Sequence, residues 1–204
     1  MKVLAIETTC DETAAAVVER GPVVLSDVVY SQIEEHAPFG GVVPEIASRS
    51  HVEQLTSMIE EALTRAQLHP CDLDAIAVAH RPGLIGALMI GVTTAKALAW
   101  SWDLPIIGVH HLQAHLEAAA LAGEEISTPY LGVVISGGHT DMHRVEQAGR
   151  SKWLGGTRDD ALGEAFDKVA WILGLGYPGG PEVARLATEG DPLAISFPRY
   201  RSKA

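Results

Sequence analysis

Two stretches of this chain spell the same pattern. VLAIETTCDETAAAVVE, from Val3 to Glu19, and YLGVVISGGHTDMHRVE, from Tyr130 to Glu146, each read as an apolar run, a turn of small polar residues and a second run. A supersecondary unit that recurs within one chain marks a duplicated architecture. The expectation is therefore two related units, residues 1–128 and 129–204, each opening on the same strand–turn–strand device.

The first copy is the better furnished. Lys2 to Glu7, Thr13 to Arg20 and Pro22 to Tyr30 read as strands from their apolar, β-branched content. After Pro44, which suits a helix start, the residues Ile46, Leu55, Met58, Ile59, Leu63 and Leu68 recur at three- and four-residue steps. The spacing predicts a helix over 45–68. Asp74 to Ala79 and Pro105 to Val109 read as buried strands, Leu84 to Trp102 and His110 to Leu121 as helices. Strands alternating with helices imply crossovers and a partly parallel sheet in an α/β fold. In the second copy, helices are expected over Asp159 to Leu173 and Pro181 to Glu189, joined by the glycine-rich GLGYPGG. The closing strands and crossover helices of the first copy have no counterpart before FPRYRSKA. The second unit is expected to be incomplete, with an open sheet edge that a further segment or a partner would cover.

Composition narrows the function classes. A formal net charge of −11 over 204 residues argues against broad, sequence-independent nucleic-acid binding, which needs clustered Lys and Arg. Arg144, Arg150, Lys152 and Arg158, and Arg199, Arg201 and Lys203, are the basic clusters available for a local contact, and they also read as ordinary solvated charges. The two cysteines, Cys10 and Cys71, form no zinc-type spacing and are expected as thiols. The N-terminus turns acidic after a four-residue apolar run and does not read as a signal peptide. Leu84 to Trp102 is interrupted by Thr93, Thr94 and Lys96, so it reads as a core helix and no membrane association is expected. The expected location is the cytoplasm.

Four features carry chemistry. The turns Thr8–Thr9–Cys10 and Ser136–Gly137–Gly138 are natural anion cradles, since small residues leave backbone N–H groups open. Asp11 and Glu12 on the first turn could hold Mg²⁺ or orient an attacking group. Asp167 falls three residues after Glu164 on one helical face, and Gly180 in YPGGP could let backbone approach a sugar or base. His111 and His115 stand at i and i+4, so both imidazoles project from one helical face and could share Zn²⁺ or Fe²⁺. A zincin protease would carry Glu directly after the first histidine. Here Leu112 stands there, which argues against a metallopeptidase.

These residues together resemble a known family. IETTCDET at Ile6 to Thr13, GGVVPEIASRSH ending at His51, PGLIGALMIG from Pro82, HHLQAH from His110, SGGHT from Ser136, DDALGEAFDKVA from Asp159 and LGYPGGP ending at Pro181 resemble, in order, the motifs of the TsaD family. Its members are tRNA N6-adenosine threonylcarbamoyltransferases, once labelled O-sialoglycoprotein endopeptidases. The resemblance implies a duplicated actin-like, sugar-kinase-like, Hsp70-like α/β fold with nucleotide in the interdomain cleft. It implies transfer of threonylcarbamoyl from threonylcarbamoyl-adenylate to N6 of adenosine 37 in tRNAs reading ANN codons. It puts His111 and His115 on the metal ligands (Fe²⁺ or Zn²⁺), and Val134, Ile135, Ser136, Gly137, Gly138, Asp167 and Gly180 on the adenylate site. Asp11 and Glu12 fall on the acidic turn of the active site, and Mg²⁺ with ATP is a further possible cofactor. The implied partners are a TsaB-like paralogue, which the helix Leu84 to Trp102 would contact, an ATPase subunit and tRNA. The chain departs from the family at Ala79, Arg81 and Ala184, and lacks the later Asp that would add a metal ligand and an Asn-containing glycine-rich stretch. The alternatives are a non-catalytic TsaB-like dimerising partner or an inactive truncated paralogue.

Overall fold

The computed structural model describes residues 1–20, 23–122 and 126–198. Pro22, Arg199, Arg201 and Lys203, named above, lie outside the described residues.

The first sheet is built around β1 (Lys2–Glu7), whose Leu4 and Ile6 are buried beneath helices. β2 (Glu12–Glu19) and β3 (Val23–Ser31) extend it antiparallel on one side. β4 (Ala75–Arg81) and β5 (Ile106–His110) extend it parallel on the other, giving the order β3-β2-β1-β4-β5. A short α1 (Ile33–His36) follows β3. The crossovers run through α2 (Pro44–Ala66) and α3 (Ile85–Trp102). Both pack on one face, where Leu55, Ile59, Leu63, Ala95 and Ala99 meet Leu4, Ile6, Val17, Ile76 and Val78. Each large side chain buried there contributes about 1.5–3 kcal/mol. The opposite face is paved with alanines: Ala5, Ala14, Ala16, Ala77 and Ala79 line a cavity of about 160 Å³.

The second sheet repeats the opening device. β6 (Tyr130–Ile135), β7 (Thr140–Gln147) and β8 (Arg150–Gly156) form an antiparallel meander in the order β6-β7-β8, the counterpart of β1-β2-β3. Among the described residues no strand pairs with the outer side of β6, where β4 and β5 adjoin β1 in the first sheet.

Helix α4 (His111–Ala118) joins the sheets. Leu112 and Leu116 are buried against Val134 and Val145 of the second sheet, and the Tyr130 hydroxyl donates to the Leu116 carbonyl at 3.2 Å. A second side of α4 grips the β7–β8 hairpin. Ser151 Oγ donates to Gln113 Oε1 and the Gly149 N–H to Glu117 Oε1, each at 2.8 Å. The helix is thus held on both sides before its histidines do anything. α5 (Leu162–Leu173) and α6 (Gly179–Ala187) complete the second unit.

Three expectations need correction. His110 ends β5 and does not open the helix, and the last turn of α4 tightens into a 3-10 segment, Ala119–Ala122. α5 starts at Leu162 and not at Asp159, because Thr157 ties residues 157–160 into a turn. Its Oγ1 donates to the Asp160 carbonyl and accepts from the Asp159 N–H. α6 starts at Gly179, two residues before Pro181, where the Asp167 carboxylate receives its first amide. No helix among the described residues is long and apolar enough to cross a membrane.

Candidate metal centre and nucleotide cleft

The first turn is held from below by hydrogen bonds that the sequence pairs over long distances. Thr8 and Thr9 are buried at the end of β1. Thr8 Oγ1 donates to the Ala87 carbonyl of α3 at 2.9 Å, and the Leu84 N–H donates to the Thr9 carbonyl at 2.9 Å. Gly83 is required at this approach, since a Cβ would lie 2.6 Å from the Thr9 carbonyl oxygen. From α2, the fully buried His51 donates Nε2–H to the Cys10 carbonyl at 3.0 Å and accepts from Thr13 Oγ1 at 2.8 Å. Burial, the largest influence, keeps His51 below the usual histidine range.

The anion cradle expected at this turn is therefore smaller than its residue types suggest. The Thr8 hydroxyl is committed to α3, and the Thr9 N–H donates to Glu7 Oε1 at 2.5 Å. What the turn presents is acidic. Asp11 sits half-buried at its tip, and Glu12 opens β2 with its proton affinity raised by burial and by the charges of Asp11 and Glu7, against the pull of His111. The same surroundings push the Cys10 thiol up to about 12, by burial first and then by Asp11. Only the thiolate is nucleophilic. Iodoacetamide at pH 8 is accordingly expected to label exposed Cys71 and spare Cys10 in the native chain, and to label both in urea. Equal native rates by peptide mass mapping would contradict the buried turn.

His111 and His115 point at each other. Their Nε2 atoms are 3.1 Å apart, with ring centroids at 4.4 Å and planes at 79°. Two imidazoles on one ion at the usual Zn–N length of 2.0–2.1 Å have their nitrogens about 3.3 Å apart in tetrahedral geometry and about 2.9 Å in octahedral geometry, so the observed separation fits a shared ion. Both edges of His111 are engaged, because its Nδ1 lies 3.2 Å from Glu7 Oε2 and 3.3 Å from Thr9 Oγ1. Burial, followed by the charge of His111, lowers the proton affinity of His115, which favours the neutral form that binds metal. Among the described residues no third His, Cys, Asp or Glu joins them in a metal-holding group.

The second turn faces this pair. Ser136 Oγ accepts the His139 N–H at 3.0 Å and the Ser136 N–H donates to the His139 carbonyl at 2.8 Å, closing the turn tightly. Gly137 and Gly138 have open space where a Cβ would stand, and their N–H groups have no partner among the described residues. Val134 and Ile135 lie on β6: Val134 is buried toward α4, so it can offer a ligand only backbone, whereas Ile135 is exposed. His139 lies close enough to the pair that His111 depresses its protonation, after burial.

On the far side, α5 meets the first unit at Gly40. The Asp167 carboxylate accepts the Gly179 N–H at 2.7 Å, so one of its oxygens fixes the start of α6. Gly180, next in line, has nothing within 4 Å of its Cβ position. Tyr177 between the helices is pushed up to about 12, first by burial and then by the charges of Asp11 and Asp167. Trp171 of α5 lies on Gly40 of the first unit, where φ is +67° and a Cβ would meet the indole at 2.5 Å. Glu7, His51, His139 and Tyr177 carry this geometry. All four stand inside or beside motifs visible in the sequence, but none showed a partner there.

The sequence profile of TsaD, tRNA N6-adenosine threonylcarbamoyltransferase, matches residues 23–203. The chain belongs to the TsaD family. A family member of Anaeromyxobacter dehalogenans strain 2CP-C, named tRNA N6-adenosine threonylcarbamoyltransferase, is 59% identical over 198 residues, covering 97% of this chain and 59% of that protein. The protein of the same name from Syntrophobacter fumaroxidans is 54% identical over 199 residues, covering 98% and 59%. The chain thus spans about three-fifths of the length of these relatives. Among solved structures, component A of (R)-2-hydroxyglutaryl-CoA dehydratase from Acidaminococcus fermentans superimposes with a TM-score of 0.50 at 11% identity, covering 94% of this chain and 70% of that one. That likeness shows the fold alone, and the fold is the actin-like α/β architecture that the sequence implied.

Proposed function

We propose that this chain supplies the metal-binding and adenylate-facing part of a tRNA N6-adenosine threonylcarbamoyltransferase. The reading rests on one observation above the others. In a member of this family, the two Nε2 atoms of α4 converge to 3.1 Å beside turns contributed by both copies of the repeat.

In this reading the units divide at 128/129, and threonylcarbamoyl-adenylate lies between them. Its phosphate rests on the open amides of Gly137 and Gly138, with backbone from Val134 to Ser136 alongside and its nucleoside toward Asp167 and Gly180. Holding the donor across two units fixes its carbonyl for attack, and orientation of this kind supplies a large part of the rate gain of such a transfer. N6 of adenosine 37 attacks the carbamoyl carbon, the carbon–oxygen bond to phosphate breaks, and AMP departs with the electron pair. The proton lost from N6 needs an acceptor. Glu12 is suited to this, because burial and its acidic neighbours raise its proton affinity. Asp11 beside it would orient the amine. His111 and His115 would hold Fe²⁺ or Zn²⁺, which as a Lewis acid supplies stabilisation of charge on the reacting oxygens.

A TsaB-like partner on the exposed Ile85, Met89 and Trp100 of α3, an ATPase subunit using ATP with Mg²⁺, and a cytoplasmic location complete the proposal. Nothing favours a peptidase, since Leu112, in the place of a glutamate base, is packed between α4 and the second sheet.

The test is reconstitution of this chain with the remaining portion found in its relatives, the two partner proteins, threonylcarbamoyl-adenylate and an ANN-reading tRNA. One AMP is expected per modified adenosine. No modified adenosine in the complete mixture, or a yield indifferent to loss of both histidines, would sink the reading.

A further inference from the structure

We propose that Glu7 is a positioning residue that holds His111 in its Nδ1–H tautomer and ties it to the Thr9 amide, making the first turn and the metal ligand one unit. The inference rests on the reading of His111 as a ligand and deepens it.

The geometry leaves little choice of tautomer. Glu7 Oε2 is 3.2 Å from His111 Nδ1, and an ionised carboxylate can only accept, so Nδ1 carries the proton. Nε2 then has its lone pair in the plane of the ring, on the side where His115 Nε2 stands at 3.1 Å. The other carboxylate oxygen, Oε1, accepts the Thr9 N–H at 2.5 Å. Thr9 Oγ1 is 3.3 Å from the same Nδ1 and can take a share of its proton, which narrows the ring's freedom to rotate. Glu7 faces the Nδ1 edge of the ring, away from the converging nitrogens, and so supports a ligand without being one.

A carboxylate behind a metal-binding imidazole fixes its orientation and raises its basicity, and losing such a partner weakens metal binding about 10–100-fold. In this fold the carboxylate also spans from β1, in the first sheet, to α4, which the second sheet clamps. Distortion of the turn is therefore transmitted to the ligand ring without passing through solvent.

Zn²⁺ alone is the probe. Its affinity is measured by competition with a chromophoric chelator for the wild-type chain and for Glu7→Gln, and the ring ¹⁵N shifts of His111 are read in the metal-free wild type. The expected results are Nδ1–H in the wild type and a 10–100-fold weaker Zn²⁺ complex in Glu7→Gln. Unchanged Zn²⁺ affinity in folded Glu7→Gln overturns the proposal. So does an Nε2–H tautomer in the wild type, which decides the matter even where the variant fails to fold. A wild type that binds no Zn²⁺ at all overturns the metal reading itself, a different pattern from a wild type that binds while the variant binds equally well.

Discussion

The double variant His111→Ala, His115→Ala is expected to fold normally and to lose its specific Zn²⁺ or Fe²⁺ binding, with a fall in affinity of at least about 100-fold. Each imidazole supplies a direct donor, so removing both must exceed the 10–100-fold seen when only a supporting partner goes. Folding should survive for a separate reason. His111 has its side chain 21% exposed and His115 belongs to the same face of α4, while the adjoining side, about 100° around the helix, holds Leu112 and Leu116 in the apolar cluster. Alanine is the better helix former by a few tenths of a kcal/mol per site, which partly offsets the hydrogen bond lost between Glu7 and His111, about 0.5–1.5 kcal/mol, so the melting temperature should move by no more than a few degrees. Metal content by elemental analysis, beside a thermal melt, separates the two effects. Leu112→Ala is the complementary control: it should destabilise by about 2–4 kcal/mol, since a buried leucine is lost, yet leave both donors in place. Stoichiometric metal retained by the double variant would show that the converging rings are only an edge-to-face pair.

How far the sequence discloses such a site depends on how local its geometry is. The two histidines are four residues apart on one helix, so their shared face is dictated by 3.6 residues per turn, and the pairing is legible from spacing alone. The same holds for the duplicated strand–turn–strand opening, whose strands are adjacent in sequence and whose turns carry small polar residues in both copies. Glu7 and His111 are 104 residues apart, and His51 meets Cys10 from a different element. No periodicity carries that information, because those contacts exist only once β1, β5 and α2 are assembled. The expectation of an open amide at Thr9 failed locally, because the Glu7 carboxylate two residues earlier accepts it, whereas the Thr8 hydroxyl is taken by the carbonyl of Ala87, 79 residues away, which only the fold brings near. β8 escaped notice differently. Arg150–Gly156 has no alternation of apolar and polar residues, and its strand character comes from pairing with β7, with Trp153 Nε1 donating to Asp141 Oδ1 at 2.9 Å.

The second large effect is expected at Gly163, where α5 meets the second turn, and Gly180 of α6 makes the opposite prediction. A Cβ on Gly163 would lie 2.7 Å from the Ser136 carbonyl oxygen and 2.8 Å from the Gly137 nitrogen, and the Gly163 N–H already donates to that carbonyl at 3.1 Å. The obstructing atoms are backbone and cannot swing aside. Gly163→Ala gains up to about 1 kcal/mol of helix propensity, whereas forcing an extra carbon into a closed contact costs typically 1–3 kcal/mol. The clash wins where the backbone is this close, and a net loss of about 1 kcal/mol should lower the melting temperature by about 2–4 °C. It should also shift the amides of Gly137 and Gly138 out of register and weaken adenylate binding. Gly180→Ala meets nothing within 4 Å, so the protein should melt at the wild-type temperature or slightly above. If an adenylate passes close to that backbone, the added methyl will nonetheless occupy its space and weaken binding. Calorimetric titration with a non-hydrolysable adenylate reads both variants. Loss of binding in Gly180→Ala without loss of stability would assign that glycine to the ligand, and wild-type affinity in both variants would move the adenylate away from these two helices altogether.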